Sequence, residues 1–236
     1  MLLDLIQSGF DRSLLIQMLL CLPMIILALC VHETAHGWVA YKLGDPTARN
    51  LGRLTLNPLK HLDPMGFLAM LIIGIGWAKP VPINARNFSN PRVGMALSGI
   101  AGPISNLVLG FICALLHAIA LSITIIVGEG PAAGVLSILY LMFYIGAVIN
   151  FSLAIFNLIP VPPFDGSRFI YVFLPTKWYF KVMQYERYSG LVLIGILLVL
   201  SHFNINPIAT VVEFLLRLIL PALQVPIYFI MTAILG

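Results

Sequence analysis

Five apolar runs, at about 13–43, 93–127, 133–159, 189–203 and 208–235, constrain this chain more than anything else in it. A bilayer core is about 30 Å thick, and a helix needs about 20 apolar residues to cross it. Hydrophobic residues make up 60% of the 236 and charged residues 9%, with a mean hydropathy of +1.01; soluble domains carry about a quarter charged. The expectation is an all-α polytopic membrane protein of about five transmembrane helices plus a re-entrant loop. Residues 1–236 read as one transmembrane domain, with a core at about 13–170 and C-terminal helices at about 188–235. The start of the chain has no basic segment and no small-residue cleavage site, so no cleaved signal peptide is expected.

Inside the first run stands His32-Glu33-Thr34-Ala35-His36. Ionisable side chains are costly at membrane depth and point to function by default. On a helix, residues four apart lie one turn above each other, so both imidazoles can hold one metal ion while the carboxylate between them faces the same cavity. This is the H-E-x-x-H pattern, in which the histidines bind zinc and the glutamate is the general base toward water. The plainer alternative is a buried polar cluster that pins helices together. From His36 to the polar end at Lys42 is six residues, about 9 Å along a helix, which sets the motif near one membrane face. Cys30, two residues before His32, reads as packing rather than as a ligand.

The first run stops at Gly44-Asp45-Pro46, and residues 45–64 form a polar connection too irregular to span. His61 in it reads as solvated or hydrogen-bonded rather than as a ligand. Met65 to Ala78 is apolar but too short to cross, which fits a re-entrant segment. The prolines of Lys79-Pro80-Val81-Pro82-Ile83-Asn84 suit either an edge strand that pairs with another extended peptide or a plain turn. On that reading Val81, Pro82 and Ile83 would bind substrate, and Asn106, in the small-residue patch of the second long run, would bind substrate or bond across a helix interface. His117 reads as a satisfied histidine of the bundle. The third long run closes on Asn157-Leu158-Ile159-Pro160-Val161-Pro162-Pro163-Phe164-Asp165-Gly166, a proline break with an acid at membrane depth. Non-helical backbone there argues for a wet cavity; capping the next helix is the other reading of Asp165. Residues 167–187 mix aromatic and basic side chains, as interfacial stretches do, and Glu213 and Arg217 are spaced to pair on one helix face.

Charge fixes the orientation. Of 13 Lys and Arg, seven lie in residues 42–92 and four in 168–187, while the 128–132 loop has none. By the positive-inside rule the two basic regions are cytoplasmic, which brings the metal motif and Asp165 to the same side. The net charge of +4 is accounted for by these loops, and no basic stripe with interleaved aromatics suggests nucleic acid. Three cysteines, all in apolar segments, make a disulfide framework improbable.

From His32 to Gly166 these residues resemble the site-2 protease family of intramembrane zinc metalloproteases, in its small prokaryotic type without PDZ or CBS modules. The resemblance implies that His32, His36 and Asp165 bind one zinc ion, that Glu33 is catalytic, and that Asn157 stabilises the reacting carbonyl. The Ala101-Gly102-Pro103 to Asn106 patch is similar to the family's G-P-x-x-N, and Gly76-Trp77-Ala78-Lys79-Pro80-Val81-Pro82-Ile83-Asn84 to its re-entrant proline loop; Phe164 stands where leucine is usual. The implied activity is hydrolysis of a peptide bond in or near the span of a single-span membrane protein, close to the cytoplasmic face of the cell membrane, as in regulated intramembrane proteolysis. The reading from another class is an ion or metal transporter using the same cluster as a relay. Its signature would be two similar halves with paired broken helices, and no such internal repeat is seen.

Overall fold

The computed structural model describes residues 9, 11–73, 76–175 and 186–235. Among them the chain is helical, with no strand and one isolated antiparallel bridge, Leu62 to Ala78. The order is α1 (Arg12–Lys42), α2 (Thr47–Asn50), α3 (Pro58–His61), α4 (Pro64–Ile73), a 3₁₀ turn (Ala85–Asn87), α5 (Pro91–Val127), α6 (Pro131–Leu158), α7 (Asp165–Tyr171), α8 (Glu186–His202) and α9 (Pro207–Leu235).

Four of the described helices, α1, α5, α6 and α9, are long and apolar enough to cross a membrane. The run expected to supply a fifth forms α8, of which 17 residues, Glu186–His202, are described, about 25 Å at 1.5 Å each. Helix α5 is the hub and touches α1, α6, α7 and α9. Its buried face is built of small residues, among them Gly99, Gly102, Gly110 and Ala114. In lipid, apolar helices gain little from burial as such and associate by close packing, so a small-residue face is what lets these neighbours approach. Met24, Cys113, Ala147, Phe151 and Leu216 then join α1, α5, α6 and α9 in one cluster.

Between α1 and α5 the chain dips in and returns. Helix α4 has 10 residues, about 15 Å, and the bridge between Leu62 and Ala78 closes its mouth together with the Lys79 N–H donating to His61 O at 2.7 Å. The two limbs touch: a Cβ on Gly66 would lie 2.2 Å from Trp77 O. The short apolar run therefore folds back on itself, as a re-entrant segment of its length would. His61 is buried at the mouth, its Nε2 donating to Thr55 O at 2.7 Å, so it is a structural histidine rather than a solvated one. His117 packs on Tyr140 and Tyr144 and bonds to Tyr140 O. Glu213 and Arg217 pair at 2.6 Å, and all three cysteines are free. Of the interfacial stretch, residues 176–185 lie outside the described residues.

Candidate metal centre

Helix α1 carries His32 and His36 one turn apart, and α7 brings Asp165 to them across the bundle. The Asp165 Oδ2 lies 3.1 Å from His32 Nε2 and 3.2 Å from His36 Nε2. All three side chains are buried, and one ligand atom from each lies within 4.8 Å of the others. Phe164, not Asp165, is the residue that caps α7, and it makes no side-chain capping bond. Asp165 is the first residue of the helix, and its carboxylate faces the imidazoles rather than the N-terminal amides. The capping reading of Asp165 is thereby overturned.

Partners behind each ring decide which nitrogen faces the centre. His36 Nδ1–H donates to Ser98 O at 2.7 Å. His32 Nδ1–H donates to Asn106 Oδ1 at 2.5 Å. The orientation of Asn106 follows from its amide nitrogen, which donates to Asn150 Oδ1 at 2.8 Å and to Ala28 O at 3.2 Å, leaving Oδ1 to accept. Asn150 in turn donates to Gly146 O at 2.8 Å. With Nδ1 donating in each ring, the neutral form of each imidazole turns the lone pair of Nε2 toward a carboxylate oxygen. Three electron-rich atoms facing one another repel unless a cation lies among them. Two imidazoles and a carboxylate are also the donor set of catalytic zinc, which leaves one position open. The residues present fit zinc.

Asn106 therefore does not line the cavity as a substrate-binding residue. It is 0% exposed and sits behind His32, joining α1, α5 and α6. Gly102, one turn earlier on α5, leaves room for the rings: a Cβ there would lie 2.5 Å from His36 Nε2 and 2.6 Å from His32 Cε1.

In front of the cluster is a cavity of about 220 Å³ bordered by Glu33, Val81, Ile83, Asn157 and Arg168. Glu33 is half-buried, and its Oε2 accepts from the Val81 N–H at 2.8 Å. Asn157 borders the cavity while its amide donates to Leu153 O at 2.9 Å. Pro82 does not border it and faces the other side of the segment, as the alternation of an extended backbone requires. Ser98, Asn150 and Arg168 were not singled out by the sequence. Asn150 had a signal, an amide in an otherwise apolar run. The Ser98 carbonyl had none.

Segment 79–84 is pinned at both ends. Arg53 donates to Lys79 O at 2.7 Å, and Asn84 N–H donates to Asp45 Oδ2 at 2.7 Å. Burial works to raise the Asp45 carboxyl, but hydrogen bonds from Thr47, Asn87 and the Asn84 backbone outweigh it and hold the group below the usual carboxylate range.

The family model described as Peptidase family M50 matches residues 117–201, which include Asn157 and Asp165. The protein of Bacillus subtilis named "Putative zinc metalloprotease YwhC" is 43% identical over 172 residues, 71% of this chain and 75% of that protein. Proteins named "Putative zinc metalloprotease Rip2" from Mycolicibacterium smegmatis and Mycobacterium tuberculosis are 30% identical over 148 residues and 29% over 147. Each of these matches covers 60% of this chain and 52% of the relative, so the chain spans about half the length of the Rip2 proteins. No solved structure matches.

Proposed function

Because the chain belongs to peptidase family M50, the site-2 protease family of zinc metalloproteases, we propose that it cuts peptide bonds in or near the spans of single-span membrane proteins, close to the cytoplasmic face of the cell membrane. It is a multi-pass membrane protein and a metalloprotease, and its cofactor is zinc. The observation that supports the finer reading is the meeting of His32 and His36, carried on a helix long and apolar enough to cross a membrane, with Asp165, and with Glu33 beside them on the same cavity.

His32, His36 and Asp165 would hold the zinc, which when bound supplies Lewis-acid activation of water and of the scissile carbonyl. Glu33 then takes the proton of the attacking water on a carboxylate oxygen and returns it to the leaving amine. Asn157, which borders the cavity, would donate toward the carbonyl oxygen as charge develops there. Asn106 and Ser98 keep both rings in the tautomer that the metal needs.

A helical substrate has its carbonyls engaged and must unwind locally before a water can reach one. Segment 79–83 offers the unwound stretch a pairing edge. Pro80 and Pro82 have no N–H, and Val81 N–H is taken by Glu33, so Ile83 N–H is the donor left for substrate.

The test is Glu33→Gln in the purified chain, reconstituted with a single-span substrate. This change keeps shape but not basicity, so zinc content should stay at the wild-type level while turnover falls about 10²- to 10⁴-fold. Normal cleavage by Glu33→Gln would sink the mechanism. For sidedness, a cysteine at the exposed Asn50 should resist an impermeant thiol reagent added outside intact cells; labelling from outside would reverse the orientation.

A further inference from the structure

A second cavity, of about 550 Å³, lies on the other side of residues 79–82 from the metal centre. Val81 and Ile83 face the metal centre, whereas Lys79 and Pro82 face this cavity and Pro80 borders both. Its charged walls are Arg53, Lys60 and Lys79, with no acidic side chain among them.

Arg53 is the informative member. It is 7% exposed, and although it donates to Lys79 O, its Nε–H has no partner. Among the described residues no carboxylate forms an ion pair with it. A guanidinium cannot shed its charge at ordinary pH, and a buried charge without a counter-charge is costly. The cavity is therefore electrostatically incomplete without an anion. Its rim says which kind. Leu51 and Leu59 border the same cavity and are 59% and 82% exposed. A water-borne anion would leave both leucines in water. A phospholipid satisfies both sets, its phosphate taking the cations and its acyl chains covering the leucines.

We propose that this cavity binds the phosphate headgroup of an anionic phospholipid, and that the bound lipid holds residues 79–83 in register beside Glu33. The headgroup oxygens accept charge-assisted hydrogen bonds from Lys60 and Lys79 and neutralise Arg53. Arg53 grips the Lys79 carbonyl, and two residues on, Val81 N–H grips Glu33. Membrane composition thus reaches the metal centre through one short stretch of backbone. The binding stands by itself; the coupling rests on the reading of 79–83 as the segment that receives substrate.

Binding is measured on the zinc-loaded full chain by native mass spectrometry, titrating phosphatidylglycerol against phosphatidylcholine. The wild type should prefer phosphatidylglycerol, and Lys60→Gln/Lys79→Gln, which changes two exposed residues, should lower that preference about tenfold. Arg53→Lys should keep the preference and Arg53→Gln should lose it. No preference in the wild type, or full preference in the double variant, overturns the site; so does binding of inorganic phosphate that phosphatidylglycerol does not displace. Cleavage in vesicles is the second arm. Wild-type turnover should rise several-fold when phosphatidylglycerol is added to phosphatidylcholine vesicles, and the double variant should not respond. Lipid retention with unresponsive wild-type turnover overturns the coupling alone. Lipid retention with no cleavage of any substrate overturns the protease reading and leaves the lipid site standing.

Discussion

Asp45 and Asp165 are two acids close to helix ends, 0% and 9% exposed, and they differ in what meets their oxygens. Asp45 Oδ1 accepts from the Thr47 N–H, the Thr47 hydroxyl and the Asn87 amide, and its Oδ2 from the Asn84 N–H. Every donor is neutral and fixed, so the carboxylate is complete and serves as a joint between the end of α1 and segment 79–84. Asp165 Oδ2 faces the Nε2 atoms of two imidazoles, groups that can themselves bind a cation, with an open cavity in front. Its surroundings are incomplete until a cation arrives. Burial of an acid therefore does not separate structure from function. The count of donors does.

The comparison breaks most sharply at Asp165→Ala. Zinc content and cleavage should be lost together, since two histidines lack the third anchor, while the unfolding temperature of the zinc-free protein stays close to the wild type. Retention of zinc would make Asp165 another structural acid. A smaller effect is expected from Asn106→Ala, which removes the acceptor behind His32. Zinc affinity, measured by chelator competition, should fall about 10- to 100-fold; an unchanged affinity would reduce Asn106 to helix packing. Asp45→Ala should do the reverse of Asp165→Ala. Stability in detergent should fall by about 2–3 kcal/mol as donors lose their charged acceptor, with zinc content per folded molecule unchanged. The sign with pH follows from its lowered carboxyl. The stabilisation is present above its ordinary value of 3.8 and is lost as pH falls through the lower folded value. The stability gap between wild type and Asp45→Asn should therefore be constant near neutrality and close only in acid.

Much of the centre was legible because its signals are local. An apolar run long enough to span declares a helix through transfer free energy alone, and three ionisable residues on one turn of such a helix need a reason to be there. Asp165 was visible by the same logic, set in a proline break at the end of the third long run.

What the sequence could not determine is which way the pieces face. Asn106 was in plain view, but whether it points into the cavity or behind His32 depends on the rotation of α5 against α1, and steric contact at Gly102 sets that rotation. Ser98 acts through its carbonyl, a group that every residue carries, so no side-chain pattern could mark it. The two faces of 79–83, one toward Glu33 and one toward Arg53, exist only because the re-entrant limb returns to Leu62 and the ends are pinned by Arg53 and Asp45. Spans and ionisable residues are decided by terms that act along a few turns of chain. Tautomers, completed acids and orphaned cations are decided by contacts across 26 to 133 residues of sequence separation, and only the packed bundle makes those.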